Sequence, residues 1–295
     1  MVKNSIRMVL LLVLFVQHNA FTQDKANSIF WEVTGNGLEK PSYIFGTFHL
    51  LKSNYVDSFA VIKQKLRTCK TVVGELQMSD TTGMSQFMAS TKLQGTTLQQ
   101  LYDSVTYKAM NDSMMKWIKV GLKSFNTSKP MYIQAIVMQM AFPKVFPEIA
   151  KGKGALMDMY FQQLGRENNM QVAGLETIAE QSELLFTFIP IERQLAMLKE
   201  MLLNPDKEKE LKMLMNMYLN QDITEIEQLM NKDMQPDEVA MLVDNRNKSW
   251  IPKLESMMKA QPTFVAVGAA HLAGVNGVVA LLRAKGYTVA PVALH

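Results

Sequence analysis

The stretch SYIFGTFHL, residues 42–50, reads as a short buried strand, then a glycine, then a histidine three residues further on. TFVAVGAAHL, residues 263–272, repeats the pattern with Gly268 and His271. Glycine at a strand end lets the chain turn sharply and approach another group closely. His49 and His271 are therefore expected to project from a sheet edge rather than into a core. The chain has four histidines, of which His18 falls in an N-terminal leader and His295 is the last residue. One histidine in such a turn reads as an ordinary polar residue. Two in the same setting, far apart in the chain, point to a shared site.

The first residues carry Lys3 and Arg7, an apolar run over residues 8–16, and small residues near Ala20. This is the pattern of a secretory signal peptide, here residues 1–22, with a single domain over residues 23–295. The run is short for a bilayer span, and no later stretch is long and apolar enough for one. The mature chain is expected to be periplasmic or secreted. A net charge of +4, part of it in the leader, is too small to argue for nucleic acid. The single Cys69 excludes an internal disulfide and a thiolate metal cluster. Lys151-Gly152-Lys153-Gly154 lacks the Lys-Ser/Thr ending of a phosphate loop, and no serine sits in a G-x-S-x-G elbow. The 24 methionines cluster on apolar helix faces, which reads as core or adaptable groove lining rather than a copper site.

Residues 28–34 and 42–45 read as a hairpin around Gly35-Asn36-Gly37. A helix over residues 55–68 and a strand at 71–74 continue this as a β-helix-β unit, whose two strands should run parallel. Residues 96–147 read as helices interrupted by Pro143 and Pro147. A helix over 155–168 precedes a strand at 171–175, and helices follow over 182–203, 207–219 and 223–231. Pro236 opens a helix that carries Arg246-Asn247 and that Pro252 should break or kink. A strand at 263–267, a helix over 275–285 and a strand at 287–292 close the chain. The expected fold is α/β: a central, mostly parallel sheet built from both chain ends, with a large helical insertion over about 82–150 and 177–258.

In such a sheet His49, Glu75, Glu176 and His271 all lie just past strand carboxyl ends, the edge at which open α/β sheets bind ligands. Two imidazoles with one or two carboxylates suit Zn²⁺, Mn²⁺, Co²⁺ or Fe²⁺. A carboxylate beside a metal-bound water would serve as general base. Arg246 could stabilise developing negative charge or clamp a substrate carboxylate. Asp158 reads as a helix-face charge. Imidazoles more than about 10 Å apart could not share one ion with ligand distances near 2 Å.

The chain resembles the TraB/GumN family, which is similar to the Tiki metalloproteases and more distantly to erythromycin esterase-like and ChaN-like proteins. The matching blocks are YIFGTFHL, VVGEL, ALMDMYFQQLGRENNMQVAGLETIAEQ, DNRNKSWIPKL and VAVGAAHLAGVNGVVALLRAKGYTVAPV. The resemblance implies an α/β core with a helical middle and a site using His49, Glu75 and His271, with Glu176 and Arg246 as further members. It also implies divalent-metal-dependent peptide hydrolysis.

Two functions follow. One is an exported hydrolase, peptidase-like, acting on a peptide or small molecule, with catalytic His49, Glu75, His271 and Arg246 and with Mn²⁺, Co²⁺ or Zn²⁺ held by His49, His271, Glu75 and Glu176. The other is a protein that binds a peptide or haem in a Met-lined groove without turnover. Which of Glu75 and Glu176 is ligand and which base stays open at this point.

Overall fold

The computed structural model describes residues 27–151 and 154–294; the expected leader (with His18), His295 and the centre of the expected Lys151–Gly154 turn lie outside them. Six strands form one sheet: β1 Phe30–Gly35, β2 Ser42–Thr47, β3 Thr71–Leu76, β4 Gln171–Glu176, β5 Thr263–Gly268 and β6 Tyr287–Pro291. Their order is β4-β3-β5-β2-β1-β6. β1 and β2 make the expected hairpin, with Phe30 opposite Phe45. β4, β3, β5 and β2 are parallel, and β6 closes the far edge antiparallel to β1. The fold is α/β, mostly parallel, with many helices between the strands.

β2 and β3 run in the same direction, as read from the sequence, yet they are not neighbours. β5, from near the end of the chain, lies between them and pairs with both. This places the two strand-glycine-histidine units side by side. β2 and β5 are buried at every position, as expected for parallel strands covered on both faces. The rings of Phe45 and Phe264 each lie 5.1 Å from that of Phe161, on the helix Met157–Glu167. Cys69 is buried, in keeping with a small apolar role.

A second apolar cluster, including Leu98, Met110, Met114, Ile133, Val137 and Leu198, holds the middle helices together. Met110 and Met114 serve as core here, whereas Met78, Met84, Met88, Met115, Met140, Met159 and Met213 are exposed. Tyr218, on the helix Lys207–Leu219, donates from its hydroxyl to the Gly46 carbonyl oxygen at 2.8 Å and ties a middle helix to the end of β2.

The helices differ from the sequence reading in several places, among them the expected helix over 55–68, which divides into Ser53–Asp57 and Ala60–Arg67. Pro252 does not break its helix, which runs over Asn245–Ala260. The carbonyl that this proline leaves without a partner belongs to Lys248, an exposed residue that water can satisfy. Pro143 likewise lies inside the helix Pro130–Val145. The segment 182–203 is not one helix: a π-helical turn at Leu184–Phe188 ends before Pro190, and a new helix starts at Ile191. Residues 97–118 divide into Leu98–Leu101, capped by Thr97 and Gln100, and Ser104–Ile118, capped by Asp103. Asp222 accepts the Glu225 N–H as the expected cap of Ile223–Asp233.

Gly46 shows why the first unit needs a glycine. A Cβ there would lie 2.7 Å from Leu272 Cδ1 and 3.0 Å from Ala269 Cα, in the turn that carries His271. Gly46→Ala should destabilise the protein by about 1–3 kcal/mol through overpacking, read as a lower urea midpoint; an unchanged midpoint would show that the turn can move aside.

Candidate functional site

His49, Glu75, Glu176, Arg246 and His271 all reach one edge of the sheet. Glu75 stands in β3, Glu176 ends β4, and His49 and His271 follow β2 and β5. The convergence is clearest at Gly268. A Cβ built there would lie 3.3 Å from Glu75 Oε1, 3.4 Å from His49 Nε2 and 3.6 Å from His271 Cδ2. Both imidazoles therefore reach within 3.6 Å of one point, well inside the limit of about 10 Å set by a shared ion. The Gly268 N–H donates to Glu75 Oε1 at 2.9 Å.

Arg246 crosses this edge from the helix Asn245–Ala260. Its Nε donates to Glu176 Oε1 at 2.8 Å, and its Nη2 donates to Glu176 Oε2 at 2.9 Å and to Glu75 Oε2 at 2.6 Å. Its Nη1 donates to the Leu242 carbonyl and lies 3.1 Å from His271 Nε2. The Arg246 and Glu75 side chains are each 11 % exposed and Glu176 is 6 % exposed. Removing one partner of a buried pair such as this typically costs about 3–5 kcal/mol. Glu176 also accepts from Trp250 Nε1 at 3.0 Å, so both its oxygens are engaged by neighbouring side chains.

The two histidines are held alike and charged differently. His271 Nδ1 lies 2.7 Å from Asn247 Oδ1. Asn247 Nδ2 donates to the His271 and Asn276 carbonyls, so its Oδ1 is the acceptor and His271 carries its proton on Nδ1. The Nε2 lone pair then faces Arg246 Nη1. Burial opposes the imidazolium, Arg246 and His49 repel it, and Glu75 only partly offsets this; His271 is lowered to about 4. His49 Nδ1 lies 2.9 Å from Asp158 Oδ2, and Asp158 Oδ1 accepts from the Thr47 hydroxyl at 2.7 Å. Packing around His49 opposes its protonation, yet 64 % of its side chain meets solvent in an open cleft, so this opposition is weak. The Asp158 hydrogen bond and charge, with Glu75 behind them, raise His49 to about 9. Burial also opposes ionisation of Glu75, but the charges of His271 when protonated, His49 and Arg246, with the Gly268 N–H, hold it at about 2.

Among the described residues, no group of three or more His, Cys, Asp and Glu side chains is spaced to hold a metal ion as it stands. Glu75 leans on Arg246 through Oε2 and keeps Oε1 toward the two imidazoles.

The sequence reading took Asp158 for a surface charge, and the structure corrects this. Asp158 lies in the first turn of the helix Met157–Glu167 and fixes His49 from across the fold. No local pattern marks it. Asn247 and Trp250 were also not assigned roles. Trp250 lies four residues after Arg246, hence on the same helix face, and stacks against both the Arg246 guanidinium and the His271 ring.

Residues 29–291 match the model of the TraB/PrgY/gumN family. The chain belongs to this family. The match spans the whole sheet, and all of His49, Glu75, Asp158, Glu176, Arg246, Asn247 and His271. No curated protein and no solved structure matches the chain. No helix of the described residues in this family member is long and apolar enough to cross a membrane.

The displaced pKa values give the site a defined pH response. Glu75, below its ordinary 4.5, contributes stability that is present above pH 4.5 and lost as the pH falls through about 2. His49, above its ordinary 6.5, contributes stability that is present below pH 6.5 and lost as the pH rises through about 9. Asp158→Asn should bring the His49 titration back toward 6.5 in a proton NMR titration and flatten the alkaline loss of stability. A His49 midpoint that stays near 9 in the variant would assign the shift to other charges.

Proposed function

We propose that this member of the TraB/PrgY/gumN family is an exported, metal-dependent hydrolase with peptidase-like chemistry. The observation that carries the reading is the matched pair of imidazoles. Each has its Nδ1 held by a side-chain oxygen, Asp158 for His49 and Asn247 for His271. His49 Nε2 and the Cδ2 edge of His271 both approach the same glycine beside Glu75 Oε1, with His271 Nε2 3.8 Å from that oxygen and 3.1 Å from Arg246 Nη1. Metal-binding histidines are typically anchored in this way through the second ring nitrogen. Two imidazole nitrogens and one carboxylate oxygen fit a divalent ion such as Zn²⁺, Mn²⁺ or Co²⁺.

In this reading His49, His271 and Glu75 would hold the ion. When bound, it would lower the pKa of a water toward neutrality and polarise the substrate carbonyl. Glu75 suits a ligand better than a base, because a carboxylate held at about 2 is a weak proton acceptor at neutral pH. Glu176, offered by the sequence as a further ligand, is assigned instead to holding Arg246. That pairing fixes the guanidinium beside Glu75 and His271, where it can stabilise negative charge developing on the substrate. Asn247 keeps the His271 lone pair directed inward. Export rests on the leader at residues 1–22.

The test is the metal content of the purified protein after Mn²⁺, Co²⁺ and Zn²⁺ are offered in turn, with His49→Ala and His271→Ala in parallel. One ion per chain in the wild type, lost in both variants, is the expected result. Glu75→Gln should lower hydrolysis of a mixed peptide library by more than about 100-fold, beyond what loss of a supporting hydrogen bond usually causes. Full occupancy in either histidine variant would sink the ligand assignment. A wild type that takes up no metal would favour the reading as a peptide- or haem-binding protein.

A further inference from the structure

A cleft of about 250 Å³ opens directly beside the site. His49, Glu75 and Asp158 form part of its lining, and Leu76, Met78, Leu156 and Met159 form much of the rest. The charged groups on the lining are already paired, His49 with Asp158 and Glu75 with Arg246. Met78 and Met159 are each 45 % exposed. Scattered exposed apolar residues are ordinary in folded proteins; two that face one cleft with a reacting centre on its lining are not scattered.

This wall is built by a buried polar residue. Gln162 donates from Nε2 to the Leu76 carbonyl at 2.7 Å and accepts the Met78 N–H on Oε1 at 2.9 Å. Both ends of its amide are thereby used to hold the backbone that carries Leu76 and Met78. Gln181, the other amide on the lining, donates to Glu75 Oε2. Apart from its paired charged groups, the cleft thus presents mainly side-chain carbon and sulfur to an occupant.

We propose that this cleft is a subsite for one large apolar side chain of the substrate, of the Leu, Met or Phe class, next to the bond that is attacked. Met78 and Met159 determine the preference, and Gln162 positions the wall. The inference rests on the hydrolase reading for its link to a scissile bond, but the pocket itself does not depend on turnover. Its volume falls below the range of about 300–1,000 Å³ for pockets that enclose a whole drug-sized ligand, so it suits a single side chain. Two flexible thioethers adapt to several shapes, which predicts a preference by class rather than for one residue.

Two measurements separate the subsite from the hydrolase reading. The first titrates the protein, labelled with ¹³C at its methionine methyls, with N-acetyl-leucinamide, N-acetyl-phenylalaninamide, N-acetyl-lysinamide and N-acetyl-aspartamide. Met78→Leu and Met159→Leu assign the two signals. Both signals should shift and saturate together with the leucine and phenylalanine amides and not with the charged ones, and Met159→Glu or Met78→Lys should abolish the response. No shift, or equal shifts with the charged amides, would overturn the subsite. The second digests a peptide library with the metal-loaded protein. A 10- to 100-fold preference for an apolar residue beside the cleaved bond, the range one hydrophobic pocket commonly supplies, should disappear in Met159→Glu. Cleavage with an unchanged preference would overturn the subsite. Amide binding without any cleavage would support the pocket and remove the hydrolase reading.

Discussion

One guanidinium organises the site. Arg246 pairs with Glu176 through two nitrogens, reaches Glu75 with one of them, and turns the third toward His271. It thus links β3, β4 and the turn after β5, three parts of the chain that share no local sequence. Taking these charges out of water is unfavourable unless each finds a partner, and the network meets that condition with short, planar contacts. A lysine could not do the same, since a single ammonium cannot present the planar fork that spans two carboxylates. The Trp250 ring beneath the guanidinium and the Trp250 N–H on Glu176 complete the enclosure.

Around this network two identical side chains acquire different properties. His271 is buried beside a fixed positive charge and stays neutral, lowered to about 4. His49 lies at the open side with a carboxylate behind it and is raised to about 9. Environments that push like groups apart in pKa are typical of sites that manage protons. Asp158 and Asn247 make the difference concrete, because one anchor is an acid and the other a neutral amide. The same two anchors leave His49 Nε2 beside Gly268 and His271 Nε2 facing Arg246, and a side chain on the glycine would crowd the space that Glu75 and the two rings share.

The sheet order makes this meeting possible. β5 lies between β2 and β3, so the two glycine-histidine turns sit on adjacent parallel strands and Glu75 stands near the end of the strand on the other side. Gly46 lets the turn carrying His271 press against β2, and Tyr218 fastens a middle helix to the same carbonyl edge. The fold therefore joins both chain ends and the helical middle at one point, and the family match over residues 29–291 covers all of these contributors.

Much of this was legible in the chain. Short apolar runs with glycine at their ends marked the strands, and a strand end is where an α/β sheet exposes polar groups, so His49, Glu75, Glu176 and His271 could be placed on one edge before any coordinates were known. Strand direction and edge position depend on local apolar pattern and on the handedness of crossovers, and these are properties of short segments. The insertion of β5 between β2 and β3 was not legible, because pairing between strands far apart in sequence depends on how all the helices pack. Nor was Asp158, whose role comes from facing His49 across the fold and leaves no trace in its own helix. The different surroundings of Glu75 and Glu176 were likewise decided only by tertiary structure, since two similar strand-end acids differ in what packs on each: Trp250 of the Arg246 helix on Glu176, and the Gly268 N–H and Gln181 on Glu75.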